Sequence, residues 1–293
     1  MGWHTWLPDS GRASSNKLIY FAIYLWKYGG NNARRGNHHN TIQSKLSSVI
    51  WYHRRYCGLQ LRQSPQMTIL RQGIKRMSDP VRKKQPVTPA FLHLLRRSLN
   101  FTQPRDRLLW GSVLIGYFFL LRRSEYLAIG KRRSFYCLQT KDVSFADSNG
   151  NQVTASSASA ITIGLRGAKN DQYGRGSRRT MHQSGDRSLC PVRALKHILR
   201  ARRDLNAVQH KYLCAELDTK TVATVIKRTA RKAGVPESNY STHSLRSGGA
   251  SALLAGKADG LAIKLLRRWM SRCFEEYPVQ SAKSTRDLAK RMI

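Results

Sequence analysis

The segment Thr242-His243-Ser244-Leu245-Arg246-Ser247-Gly248-Gly249-Ala250 carries an imidazole and a guanidinium at positions i and i+3. On a helix those positions share one face, and Ser241 or Thr242 stands where an N-cap belongs. A helix N-terminus is already positive through its unsatisfied N–H groups, and an arginine adds a planar, two-pronged donor that keeps its charge. The chemistry such a grouping suits is reception of a phosphate. Downstream, Leu266-Arg267-Arg268-Trp269-Met270-Ser271-Arg272-Cys273-Phe274-Glu275-Glu276-Tyr277 supplies an indole and a phenol. Taken singly, each feature has an ordinary explanation. His-x-x-Arg arises by chance on many helices, Trp269 follows Leu265 and Leu266 as a core indole would, and Tyr277 near Phe274 resembles a packed aromatic.

Metal chemistry finds no comparable set. The five cysteines (Cys57, Cys137, Cys190, Cys214, Cys273) are widely spaced with no C-x-x-C pair, and His53 with Cys57 is a single pair at helical spacing without a second to complete four ligands. The expectation is reduced thiols of an intracellular protein, no metal site and no cofactor.

Charge sets the class of partner. The 293 residues include 52 Lys+Arg against 16 Asp+Glu, a formal net charge of +36. Between Asp9 and Asp79 there is no acidic residue, yet that stretch carries 12 Lys/Arg, among them Lys45, Arg54 and Arg55. A solvated surface mixes both signs, so a one-signed stretch of this length points to a polyanion, of which nucleic acid is the commonest. A membrane is not expected as partner. The basic residues are not gathered on one amphipathic helix, and the longest apolar stretch, Val113 to Leu121, falls well short of the ~18 residues needed to span a bilayer. Leu18 to Trp26 runs into Lys27 without a cleavage site of small residues, so a signal peptide is not expected either.

These residues need elements to position them. Lys17 to Trp26 has the composition of a helix closed by Gly29-Gly30, followed by a polar loop to Asn40. Ile42, Leu46, Val49, Ile50 and His53 then recur at helical spacing, with Thr41 as N-cap. Asp79 to Pro86 combines two prolines with Arg82, Lys83 and Lys84, the composition of an extended basic connector. A domain boundary is placed there, giving a helical unit over 1–86 and a second domain over 87–293. Thr88-Pro89 is an N-cap and N1 pair opening a helix to about Leu99, Arg105 to Leu121 is apolar enough for a buried helix, and a short helix is expected over Ser124 to Ile129. Phe135 to Phe145, Ala160 to Arg166 and Arg178 to Gln183 have strand character, after which the helical period returns, with Thr219 to Ala233 closed by Gly234. Strands and helices do not alternate, so the fold class is α+β, mostly helical, with helices around one small antiparallel sheet.

With its order of residues, the chain resembles the tyrosine recombinase (phage integrase) family. Leu120-Leu121-Arg122-Arg123-Ser124-Glu125-Tyr126-Leu127 is similar to that family's arginine box, G-L-R-x-S-E-L, and places its catalytic arginine at Arg122. Lys169, in Gly167-Ala168-Lys169-Asn170 after the second strand, matches the hairpin lysine, with Lys141 as a rival on the preceding strand. His243 and Arg246 match the His-x-x-Arg box, and Trp269 precedes Tyr277 by eight residues, as is usual in the family. Thr41 to Tyr56 resembles the core-binding domain that clamps DNA, and Cys190-Pro191-Val192-Arg193-Ala194-Leu195 resembles the entry to the helical half of the catalytic domain. The wording of these segments is most similar to recombinases of eukaryotic mobile elements of the crypton type.

The resemblance implies a site-specific DNA recombinase or integrase that cuts and rejoins strands through a 3′-phosphotyrosine, with Tyr277 as nucleophile. Arg122 and Arg246 would hold the non-bridging oxygens, His243 would accept the tyrosine proton or bond the phosphate, Lys169 would protonate the departing 5′-hydroxyl, and Trp269 would buttress the pocket. It further implies double-stranded DNA as partner, held by Lys45, Arg54, Arg55, Arg82, Lys83 and Lys84, assembly as a homotetramer, and a nuclear location if the source is eukaryotic. Two other functions stay open at this point: a type IB topoisomerase, and a DNA-binding protein derived from a recombinase that no longer cleaves. Pro278 biases Tyr277 away from the α region, so the nucleophile is expected at a helix break or on a mobile segment.

Overall fold

Three helices whose apolar stripes meet make the N-terminal unit. The computed structural model describes residues 4–9, 11–29, 35–80, 83–167, 174, 176–256 and 258. Helix α1 (Arg12–Tyr28) buries Leu18, Ala22 and Leu25, α2 (His39–Cys57) buries Ile42, Leu46 and His53, and α3 (Pro65–Met77) buries Met67 and Ile74. Helix α1 ends where Gly29, at φ 78°, turns the chain back so that its N–H reaches the Leu25 carbonyl. Thr41 is not the N-cap of α2. The helix starts three residues earlier than that cap implies, because the ring of His38, in extended backbone, accepts the Asn40 N–H at 3.3 Å. Helix α3 was not anticipated from its polar sequence, although Ser64 caps it by accepting the Met67 N–H at 3.3 Å and Pro65 fills N1. His53 is a core residue: its Nε2 accepts the Leu7 N–H at 2.9 Å, which leaves Nδ1 as the protonated nitrogen donating to the Val49 carbonyl at 2.8 Å.

The chain divides into two compact units, Met1–Arg82 and Lys83–Ile293. The boundary expected at residue 86 thus falls inside the second unit, where Gln85 N–H already bonds the Asn239 carbonyl at 2.8 Å and Val87 N–H the Ser244 carbonyl at 3.0 Å.

The second unit is α+β. Helix α4 (Pro89–Arg97) opens at Thr88, whose hydroxyl accepts the Phe91 N–H, and α5 (Pro104–Phe118) buries every residue from Leu108 to Tyr117. Strands β1 (Val143–Ala146), β2 (Ala160–Leu165) and β3 (Ser177–His182) form an antiparallel sheet in the order β1-β2-β3. Alternation along β2 buries Ile161, Ile163 and Leu165, while Thr162 on the other face bonds Thr180 at 2.8 Å. Helices α6 (Pro191–Asp204), α7 (Thr219–Lys232) and α8 (His243–Ala255) follow among the described residues of the unit. Gly111 lets α5 lie close on α6, since a Cβ there would sit 2.5 Å from the Ala194 carbonyl oxygen. No helix among the described residues is long and apolar enough to cross a membrane, and no group of His, Cys, Asp or Glu there could hold a metal ion.

Two elements differ from the sequence pattern, each because a carboxylate competes for backbone. Of the segment Phe135 to Phe145 only Val143 to Phe145 is strand, because the Asp142 carboxylate accepts the Gln139 N–H at 2.8 Å and folds residues 140–142 into a single 3-10 turn. Lys141 therefore sits in that turn and not on a strand. The helix expected over Ser124 to Ile129 is one 3-10 turn, Arg123–Glu125, followed by bridges from Ala128 to Asp218 and from Ile129 to Arg132.

The basic exterior leaves a pH signature. His197 on α6 packs against Phe101 (ring centroids 5.5 Å apart), and its burial, followed by the nearby Arg200, Arg96, Arg107 and Arg193, pushes its pKa down from 6.5 to about 4. An unfolded chain takes up that proton below pH 6.5 while the folded one resists it. The stabilisation is therefore complete above about pH 6.5 and is lost as pH falls through about 4. The shift corresponds to about 3 kcal/mol, which solvent screening at this partly exposed ring reduces to roughly 2 kcal/mol across that window. Asp186, held below its usual value chiefly by the Leu189 and Ser188 N–H groups, adds acid sensitivity only at lower pH. Thermal midpoints followed from pH 7 to pH 4 should fall less steeply in His197→Gln than in the parent; equal slopes would remove His197 from the account.

Candidate active site

Arg122 owes its place to the way α5 ends. After Phe118 the chain turns through Leu120, a non-glycine residue at φ 52°, so that the Leu121 N–H reaches back to the Gly116 carbonyl at 3.0 Å. Left-handed backbone at a helix end is usually glycine, and a leucine there costs about 1 kcal/mol. The side chain offsets that cost by being fully buried against Ala250 on α8, beside Leu253 and Leu254. Two residues later the Arg122 backbone N–H donates to Glu125 Oε2 at 2.7 Å and its guanidinium to Glu125 Oε1 at 3.2 Å. Glu125 is fully buried and the Arg122 side chain 22% exposed, so the carboxylate fixes the arginine from behind while part of the guanidinium meets solvent. Arg123 next to it is exposed.

Helix α8 carries the second cation. His243 at its first position is exposed and Arg246 is only 3% exposed. Thr242 makes no side-chain cap; instead Ser241 Oγ accepts the His243 N–H at 3.2 Å, Ser244 Oγ accepts the Ser241 N–H at 3.0 Å, and Ser247 Oγ donates to the His243 carbonyl at 3.3 Å. The backbone at His243 is thereby held from both sides.

What seats α8 is a pair of glycines. A Cβ at Gly248 would lie 2.0 Å from the Val87 carbonyl oxygen, and one at Gly249 would lie 2.3 Å from the Tyr117 carbonyl oxygen and 2.4 Å from Leu120 Cδ2. Without side chains at these positions, α8 lies directly on the end of α5, the same end from which the Arg122 turn springs. The sequence alone gives these glycines no role in the site. The available signal was two successive glycines inside a helical pattern, which cost about 1 kcal/mol each against alanine and call for a packing reason.

Of the residues singled out by sequence, Arg122, His243 and Arg246 lie on two elements in direct contact through Leu120, Gly249 and Ala250. Lys169, Trp269 and Tyr277 lie outside the described residues, as does Arg82. In the N-terminal unit Lys45 is partly buried on α2, and Arg54 and Arg55 are exposed on its last turn. Lys83 and Lys84 are exposed, with Lys84 Nζ donating to the Ser238 carbonyl.

No protein-family model matches the chain, and no curated protein does. Solved structures do match it. The XerH site-specific recombinase bound to palindromic difH substrate, a post-cleavage complex, superposes with a TM-score of 0.57 at 15% identity over 94% of this chain and 70% of that one. The Tn1549 transposon integrase in complex with transposon right end DNA gives 0.56 at 13% identity, over 95% and 85%. The same integrase in complex with circular intermediate DNA gives 0.52 at 14% identity, over 96% and 85%. The fold is that of the tyrosine recombinases.

Within this recombinase fold the Arg122–Glu125 pair can be tested on its own. Replacing the buried carboxylate by an amide of the same shape leaves one of the two Arg122 donors a weaker acceptor and sets the other against an N–H donor, a loss of about 1–3 kcal/mol. Glu125→Gln should therefore lower the unfolding free energy from urea denaturation by that amount with an unchanged m-value. A variant as stable as the parent would show that the pair fixes nothing.

Proposed function

We propose that the protein is a site-specific DNA recombinase or integrase that cleaves and rejoins DNA through a 3′-phosphotyrosine. The observation that carries this reading is the seating of the Arg122 turn against the His243–Arg246 helix in a fold shared with recombinases, in a chain that also supplies Lys169, Trp269 and Tyr277 in matching order.

The chemistry follows from what a phosphodiester demands. A phenol with pKa near 10 attacks poorly while neutral, and the phosphate must have its growing charge offset as a fifth oxygen bonds. Arg122 and Arg246 donate to the two non-bridging oxygens, and neither loses its charge on doing so. His243 accepts the Tyr277 proton or hydrogen-bonds the phosphate. The Tyr277 oxygen bonds phosphorus, the bond to the 5′-oxygen breaks, and Lys169 or its rival Lys141 delivers a proton to that oxygen. Trp269 closes the pocket and offers its indole N–H. One phosphoester replaces another, so the reaction conserves bond energy for rejoining. The exposed Arg54, Arg55, Lys83 and Lys84, with Lys45 and Arg82, hold double-stranded DNA by its phosphates. Recombination between two duplexes calls for a homotetramer, and for a nuclear location where the source is eukaryotic.

Tyr277→Phe should bind its DNA target as tightly as the parent and form no covalent adduct resistant to denaturation. Adducts formed equally by the variant would place the nucleophile elsewhere. Loss of binding alongside would give Tyr277 a structural task instead.

A further inference from the structure

The exposed face of α2 has a composition that phosphate binding alone does not explain. Its buried face is Ile42, Leu46 and His53, yet the opposite side of the last turns exposes Trp51 (54%), Tyr52 (50%) and Tyr56 (65%). At about 100° per residue, that outward surface runs round the helix as Arg54, Trp51, Arg55, Tyr52, Tyr56, so rings and guanidinium groups alternate. The rings already form a group of their own. Tyr52 and Tyr56 are stacked (centroids 5.7 Å apart, planes 14°), and Trp51 stands edge-on to Tyr52 (5.0 Å, 87°). Beside them Trp51, Arg54 and Arg55 line a recess of about 320 Å³.

We infer that this face of α2 is a stacking platform for unpaired nucleobases, so that the protein engages single-stranded or locally opened DNA here, in addition to duplex backbone. Contiguous exposed aromatic surface marks a binding site, and the charge decides what binds: with no acidic residue between Asp9 and Asp79 and two arginines set among the rings, the complementary partner is anionic. An apolar protein surface would cover the rings only by burying Arg54 and Arg55 without counter-charges. A closed duplex offers base edges in its grooves, not base faces. Unpaired bases offer both a π-face for each ring and a phosphate for each arginine, and this pairing of rings with cations is the one by which single strands are held. The inference rests on the recombinase reading for the presence of DNA, and locates on α2 a contact specific to opened DNA.

Full-length protein is titrated by fluorescence anisotropy with three labelled DNAs of one length at fixed salt: a duplex, the same duplex with a central unpaired bubble, and a single strand. The triple variant Trp51→Ala, Tyr52→Ala, Tyr56→Ala should lose about tenfold or more in affinity for bubble and single strand, while duplex affinity changes less than about threefold. Phenylalanine at the same three positions should restore binding, since rings and not hydroxyls are used. Unchanged bubble and single-strand affinity in the alanine variant, or an equal loss on all three DNAs at an unchanged melting temperature, overturns the inference. If the parent binds none of the three, the recombinase reading falls with it, whereas tight duplex binding without a platform effect leaves that reading standing.

Discussion

Arg246→Lys is expected to bind DNA nearly as well as the parent and to cleave it about 10²–10³-fold more slowly. Lysine keeps the charge at the head of α8, so the long-range attraction for DNA hardly changes. What it loses is the planar fork that can donate two hydrogen bonds to one phosphate, and those bonds strengthen as charge develops on the non-bridging oxygens. Arg246 is 3% exposed, so little water can replace the missing donor. Single-turnover cleavage of a labelled substrate at saturating protein isolates the chemical step. Arg122→Lys should show a loss of the same order, because Glu125 holds that guanidinium in place. A variant that cleaves at the parent's rate would remove Arg246 from the reacting phosphate altogether.

Gly248→Ala should be strongly destabilising. The new carbon would sit 2.0 Å from the Val87 carbonyl oxygen, and 2.9 Å from both Val87 N and C. The obstacle is backbone that is itself pinned, since the Val87 N–H donates to the Ser244 carbonyl. Neither side can yield by changing rotamer, so α8 must lift. A loss of about 3 kcal/mol or more is expected. The natural comparison is Gly73→Ala on α3, where nothing lies within 4 Å of the added carbon and alanine should stabilise by about 0.5–1 kcal/mol. Urea denaturation of the two variants side by side should show midpoints moving in opposite directions. If Gly248→Ala unfolds at the parent's midpoint, α8 is not seated by the close approach described above.

How much of this could be seen in the sequence depends on how local the cause is. Thr88-Pro89 opens α4 as expected because an N-cap hydroxyl and a proline at N1 act within four residues. Strands β2 and β3 and the helix closed by Gly234 were equally plain, the first from alternation and the last from a glycine at φ 69°. Phe135 to Asp142 has the β-rich composition of a strand, but Asp142 and Glu125 turn their carboxylates onto backbone N–H groups, and a propensity sum does not see such a competition. Helix α3 was missed for a different reason. Its residues are polar apart from a narrow stripe, and its stability comes from packing Met67 and Ile74 on the other two helices. At the candidate site, residue identities were legible because their order along the chain is distinctive. The device that brings Arg122 and Arg246 onto touching elements was not, since Leu120, Gly248 and Gly249 act across 128 or more positions of sequence (from Leu120 to Gly248) and only contact reveals them.

In the proposed reaction Tyr277 becomes covalently attached to a DNA 3′-end. A substrate nicked close to the scissile phosphate lets the short 5′-hydroxyl fragment diffuse away, which traps the protein on the DNA. Mass spectrometry of the trapped peptide after nuclease and protease digestion then identifies the attached residue. A single nucleotide-bearing peptide, modified at Tyr277 through a 3′-phosphate, is expected. Attachment at any other residue, linkage to a 5′-phosphate, or no covalent species from a substrate that the protein demonstrably binds would contradict it.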